Sequence, residues 1–382
     1  MTNGVLPYQE IKDLINSGAI KIDGENLSFM NLLEDENPNN PIGLASFEPS
    51  LGNRVFAMPA SVLPCEDMTL LDRLEKENLY NFELNADESR FLPSGNVFVI
   101  LLNESLSLHQ GFIGESTGRS SVGRTNTILK LLTDNHSRYN FIPDGYKGRL
   151  FLEVFPSSFP IIIRKGLRLN QIKFAFKDFG EIDEATLEIL HDKSPLLYDE
   201  FGNPLSLDNR IEKDSIVMDL KLNGNSPSVY KAKRNVLQGL DLSRNFKNRE
   251  NRYKLNEFFE EVLISHGRVI VNPGEFYIMI TRQRISVPPE YVTKMIPYDS
   301  NLADLKTQEA DLFNPGHGFK TKGFCPVLEI KAYAEPMELR DGFPICRIKY
   351  QKLRSAPSKK GYDEVKESYV GQERANPGNM FD

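Results

Sequence analysis

Cysteine is scarce in this 382-residue chain: Cys65, Cys325 and Cys346 are odd in number, widely spaced, and form no Cys-x-x-Cys pair. A disulfide framework is thereby excluded, and free thiols in a reducing, cytoplasmic compartment are expected. No apolar run reaches the ~18 residues that a membrane helix needs, and the first apolar segment already carries Glu10, Lys12 and Asp13. Neither membrane insertion nor secretion is signalled. Positive charge is also lacking, with 46 Lys and Arg against 53 Asp and Glu, a net charge of −7. Nucleic acid and anionic membranes call for the opposite balance, so an anionic ligand should be small and gripped by a few local arginines. The five histidines (His109, His136, His191, His266 and His317) show no metal-ligand spacing, and His317, in Asn314-Pro315-Gly316-His317-Gly318, reads as a turn residue.

What is present is a duplication. Sliding Leu150–Phe174 by 176 positions onto Pro326–Tyr350 gives identity at seven of 25 positions: Leu152/Leu328, Glu153/Glu329, Pro160/Pro336, Arg164/Arg340, Gly166/Gly342, Ile172/Ile348 and Lys173/Lys349. Ordinary composition would give about one or two by chance. Upstream, the stretches beginning at Leu92 and Val271 match as a Pro/Gly turn followed by an apolar run. Two copies of one unit explain the length, and 40% hydrophobic residues can supply a core for each.

Within each copy the runs are short, rich in Val, Ile and Phe, and broken by turn pairs such as Lys165-Gly166 and Asp341-Gly342, which predicts a mainly β sandwich or barrel. Helical patterns at Tyr8–Ser17, Met68–Glu77, Thr125–Thr133, Glu184–Leu190 behind a capping Asp183, and Tyr253–Leu263 are expected as decoration. The expected organisation is a first repeat over 1–180, a connection over 181–204, a second repeat over 205–352 and a tail over 353–382. The tail's Ser, Lys, Gly, Asn and Glu content suits a segment that orders on binding.

Two constellations can carry chemistry. Gly118-Arg119-Ser120-Ser121-Val122-Gly123-Arg124 offers glycines that turn backbone N–H groups toward an anion, two hydroxyl donors and two guanidiniums for phosphate oxygens. The same residues would also make an exposed polar turn with a helix cap. Glu153 shares one strand face with Phe151 and Phe155, where a carboxylate is costly unless it has a partner or acts as a general base; alternatively that face is solvent.

At these residues the chain resembles the dCTP deaminases of the dUTPase superfamily. Gly118–Arg124 resembles the family's phosphate-binding Gly-Arg-Ser-Ser-x-x-Arg, Ile142–Gly148 its Ile-Asp-Pro-Gly-Trp-Ser-Gly turn, Arg149–Phe155 the strand of its catalytic glutamate, and Ser368–Gln372 its nucleotide-covering tail. The opening Gly4–Ile20 is similar to its N-terminal helix, and the duplicated length is similar to a two-repeat bacterial subgroup. The resemblance implies a mainly β fold of two tandem dUTPase-like β-barrel or jelly-roll repeats with a few peripheral helices. It implies deamination of dCTP to dUTP and ammonia, with Glu153 activating the water, Arg119, Ser120, Ser121 and Arg124 holding the triphosphate, Tyr146 walling the sugar or base, and Gln372 closing the pocket. The nucleotide arrives as a Mg2+ complex, with dUTP and dTTP as related ligands, and no zinc takes part. Zinc-dependent base deaminases carry His-x-Glu followed by Pro-Cys-x-x-Cys, whereas Pro64-Cys65 is followed by no second cysteine.

Departures from the family pattern shape two further expectations. Phe141 and Pro143 replace polar residues before the Gly145-Tyr146 turn, and Asp299 and Asp304 stand in the second repeat where the arginines should be. The second repeat is therefore expected to lack a site of its own. The family builds each pocket between neighbouring subunits of a three-fold ring, so a homotrimer with three pockets between first repeats is expected. A dUTP diphosphohydrolase, an enzyme doing both reactions, and a nucleotide-binding regulator are the alternatives.

Overall fold

The computed structural model describes all residues except 1, 23–39, 65–67, 224–228, 300–304, 307–310 and 366–368. Cys65 and Asp304 thus lie outside the described residues. The architecture is mainly β, with few and short helices. In the first repeat, Lys147–Pro156 runs antiparallel between Val97–Ser107 and Thr127–Thr133, and Leu51–Met58 and Tyr80–Glu83 extend the same sheet. A second sheet places Asn170–Phe176 beside Phe112–Gly118. Alternation along Lys147–Pro156 sends Leu150, Leu152 and Val154 into the core of the first repeat. Phe151 points the other way, into a smaller cluster with Phe56, Val62, Leu70, Leu74 and Leu132.

That outer cluster is closed by the helix Leu70–Glu77, whose capping Thr69 accepts from Asp72 N and whose buried Leu70 and Leu74 lie one turn apart. Helices also form at Tyr8–Asn16 and Glu184–Lys193, the latter with Asp183 accepting from Thr186 N. Two expected helices are not found. Thr127–Thr133 is a strand: Thr127, Leu129, Leu131 and Thr133 alternate inward, and this period of two prevails over the three- and four-residue apolar spacing of Ile128, Leu131 and Leu132. In Tyr253–Leu263 only Leu255–Phe258 makes a turn of helix, after which Phe259–Glu261 pairs with Tyr230–Ala232. Tyr253, Phe258 and Phe259 all enter one aromatic cluster with Phe159 and Phe381, and the adjacent pair Phe258 and Phe259 reaches it through this break.

The duplication survives in strand pairing. Glu153 stands opposite Val99, and Glu329, on Val327–Ala332, stands opposite Ile278 in the strand Tyr277–Thr281. The repeats are joined by backbone as well as side chains: Ile161–Ile163 pairs in parallel with Leu240–Asp241, and Lys352 N donates to Gly180 O at 2.8 Å. Gly180 has φ +61°, and a Cβ there would meet Lys352 O at 2.9 Å, so glycine fits this crossing. Val5, Ala45, Val292, Leu312 and Leu353 fill the seam. No described helix is long and apolar enough to cross a membrane.

Candidate active site

The arginine-serine segment leaves the end of Phe112–Gly118 and folds into a single helical turn, Ser120–Gly123, before Thr127–Thr133 begins. This turn lines a cavity of about 260 Å³ together with Arg119 and Arg124. Arg119 donates from Nη1 to Arg168 O at 3.1 Å and lies 3.5 Å from a Glu48 carboxylate oxygen. Arg124 is buried, donates to Gln372 Oε1 at 3.2 Å and to Asn376 O at 2.9 Å, and stacks on the Tyr369 ring at 4.2 Å. Four of the expected residues, Arg119, Ser120, Ser121 and Arg124, thus share one cavity with the expected tail residue Gln372.

Besides Glu48, the carboxylate that meets them is Glu329 of the second repeat. It lines the cavity, it is 4% exposed, and a Cβ added to Gly123 would lie 2.6 Å from its Oε1. Glu153, expected to face the arginines of a neighbouring subunit, does not line this cavity within its own chain. It is 2% exposed and accepts from Ser61 Oγ, from Val62 N at 2.9 Å and from Lys130 Nζ at 2.9 Å, beneath the residues that carry the Leu70–Glu77 helix. Lys130 is itself stacked on Tyr139 at 4.5 Å. The costly carboxylate among phenylalanines therefore has its partner inside its own repeat.

Tyr146 is likewise elsewhere. Its hydroxyl donates to Arg149 O at 2.6 Å and accepts from Asp134 N at 3.1 Å, and burial pushes the phenol up. The corresponding turn of the second repeat does reach the cavity: Gly316, with φ +79°, turns the chain so that Asn314 and His317 line it. Asn314 Oδ1 is buried without a hydrogen-bond partner, leaving an acceptor for a ligand donor. His317 packs face to face on Phe324 at 3.5 Å and on Tyr362 at 4.1 Å, and burial depresses its imidazole to about 3, so it is neutral at physiological pH. Glu48, Asn314, His317 and Tyr362 were missed from the sequence. The match of Gly316-His317 to Gly145-Tyr146 was the available signal.

The described residues of the expected tail pack against both repeats, with Arg354 donating to Glu10 at 2.8 Å at its start and the residues from Gln372 onward lying on the second repeat. Cys325 N donates to Gln372 O at 2.8 Å, Gln372 Nε2 donates to Cys325 O at 3.1 Å, and Met380 and Phe381 enter the aromatic cluster. Its few apolar side chains sit at anchoring points, which average composition conceals. Among the described residues no group of three or more His, Cys, Asp or Glu side chains is disposed to hold a metal ion.

A turn carrying two arginines and two serines from one β repeat, met by a buried carboxylate from the other, lines a pocket on a dUTPase-like fold with donors suited to a phosphorylated small molecule. The family comparison makes this specific: residues 2–178 match the N-terminal domain and residues 183–375 the C-terminal domain of 2'-deoxycytidine 5'-triphosphate deaminase, and the chain belongs to that family. The crystal structure of the 2'-deoxycytidine 5'-triphosphate deaminase from Agrobacterium tumefaciens superimposes with a TM-score of 0.79 at 26% identity, covering 94% of this chain and 100% of that one. A dUMP-forming dCTP deaminase of Methanopyrus kandleri is 28% identical over 172 residues, 44% of this chain and 80% of that protein. A dCTP deaminase of Shewanella frigidimarina is 27% identical over 113 residues, 29% of this chain and 54% of that protein.

Proposed function

We propose that this protein hydrolyses the exocyclic amine of dCTP, releasing dUTP and ammonia, in a pocket completed within one chain. Glu329 is the general base: it takes a proton from the water that attacks C4 and returns protons to N3 and to the departing amine. Arg119, Arg124, Ser120 and Ser121 hold the triphosphate, presented as its Mg2+ complex, and Gln372 and Tyr369 keep Arg124 in place. No step is assigned to zinc. The observation that carries this reading is the contact of the Glu329 carboxylate with Gly123, which sets a buried base directly against the phosphate-gripping turn.

Binding free energy from the triphosphate thereby fixes the cytosine ring beside a carboxylate from the other repeat. No second chain is needed to complete such a pocket, so a homotrimer, if formed, would repeat it rather than create it. The test is to incubate the protein with dCTP and Mg2+ and separate dUTP, dUMP and pyrophosphate. Glu329→Gln keeps the size of the side chain and should lower kcat by at least about a thousandfold, because an amide cannot take the proton. Glu153→Gln should retain turnover. Loss of turnover in Glu153→Gln with retention in Glu329→Gln would overturn the assignment. Because matched relatives include dUMP-forming enzymes, dUMP with pyrophosphate is the second product pair to look for.

A further inference from the structure

We propose that His317 is a positioning residue that acts on the phosphate grip through the tail. The proposal rests on the cavity being the triphosphate site. His317 is 6% exposed and lies between Phe324, at 3.5 Å with planes 6° apart, and Tyr362, at 4.1 Å and 30°. Its Nε2 is 3.3 Å from Tyr369 O. A carbonyl oxygen only accepts, so Nε2 carries the proton and donates.

Tyr369 has φ +64°, a backbone conformation that a bulky side chain adopts only when it is held there. From that position its ring lies 4.2 Å under the Arg124 guanidinium. One imidazole therefore fixes the tail twice, through its face to Tyr362 and through its edge to the Tyr369 carbonyl. Tyr369 in turn fixes the face of Arg124, leaving to phosphate oxygens the guanidinium N–H groups that Gln372 Oε1 and Asn376 O do not engage. The second repeat thus sets the arginine of the first through the tail. The imidazole has this role in the neutral form, so the device is not a pH switch within the physiological range.

The consequence is a binding effect with little effect on chemistry. His317→Phe keeps a ring between Phe324 and Tyr362 but removes the N–H, and His317→Gln keeps an Nε2–H while removing the ring. Titration calorimetry with inorganic tripolyphosphate and with dCTP reads the phosphate grip apart from turnover. We expect His317→Phe to raise both dissociation constants, and KM, by about tenfold, the scale of one buried hydrogen bond, with kcat changed less than KM. Tyr369→Leu should give a similar loss, and the double variant should be no worse than either single one, since both act through one contact. His317→Gln should bind more tightly than His317→Phe, and this comparison with Tyr369→Leu still decides the question if His317→Phe does not fold. Unchanged tripolyphosphate binding in Tyr369→Leu, additive losses in the double variant, or a loss confined to kcat would overturn the proposal. Weaker tripolyphosphate binding in a protein that does not turn over dCTP would leave this proposal standing and remove the deaminase reading instead.

Discussion

The Glu115 carboxylate of the first repeat lies 3.1 Å from Lys294 Nζ of the second, and 3.4 Å from Lys173 Nζ of its own repeat. Glu115 is on the strand that runs directly into Arg119, and Lys294 is on Tyr291–Pro297, which pairs with Leu312–Phe313 beside Asn314. This ion cluster therefore couples the two halves of the cavity. Lys294→Met should destabilise the chain by about 1–3 kcal/mol, less than the loss of a fully buried pair because both side chains keep some solvent contact. Urea unfolding measures it. Burial works against the Glu115 charge, but Lys173 and Lys294 outweigh it and hold the carboxyl below its ordinary 4.5. The stabilisation is present above that value and lost as pH falls through the depressed one, so the variant should differ most from wild type at neutral pH and least in acid.

Glu104 gives the opposite pH signature. It is 1% exposed and accepts from Ser50 N and Ser50 Oγ, each at 2.8 Å, and burial raises its carboxyl to about 7 despite those bonds and the nearby Arg168. A raised carboxyl contributes stability below its unfolded value near 4.5, and that contribution is lost as pH rises through 7. Wild type should lose on the order of 3 kcal/mol between pH 5 and 8.5 from this group. Glu104→Gln keeps an acceptor for Ser50 and should flatten the dependence. Equal slopes of Tm against pH in the two proteins would show that Glu104 does not titrate in this range.

The β architecture, the duplication and the Gly118–Arg124 turn are legible in the sequence, because alternation, repeated spacing and a Gly-Arg-Ser-Ser run are local signals. Which carboxylate faces that turn is not local. Glu153 and Glu329 occupy equivalent strand positions, and they differ in what covers them: Ser61, Val62 and Lys130 close over one, and Gly123 from the other repeat meets the second. Those partners are distant in sequence, so the motif alone does not show which carboxylate lies beside the turn. The Thr125–Thr133 pattern reads as a helix because its apolar spacing fits both periods, and only the pairing of Thr127–Thr133 with Lys147–Pro156 decides between them.

The end of the chain should be a structural element as well as part of the site. Phe381 is 7% exposed and packs against Phe258 and Phe259, with ring centroids 5.5 and 5.4 Å away, and the neighbouring Asn379 and Met380 line the cavity. Phe381→Ala should cost about 3–5 kcal/mol, as large-to-small changes in a packed aromatic cluster do. It should also weaken dCTP binding, because Asn376 O is a direct partner of Arg124. A stable variant with unaltered binding would mean that the last residues contribute little to either.

Mixing two inactive chains decides whether the pocket belongs to one molecule. Arg124→Ala removes the grip on the first repeat, and Glu329→Gln removes the base on the second. If each chain pairs its own arginines with its own Glu329, every pocket in a mixture carries one lesion or the other, and activity stays at the level of the separate variants. If Glu329 instead reaches the arginines of a neighbouring chain, some pockets combine an intact grip with an intact base, and activity returns in proportion to mixed assemblies. Subunit exchange should be verified with differently tagged chains, and light scattering should give the mass of the active species. The contact between Gly123 and Glu329 within one chain leads us to expect no recovery. Recovery after verified exchange would mean that the working pocket draws its base from a neighbouring chain.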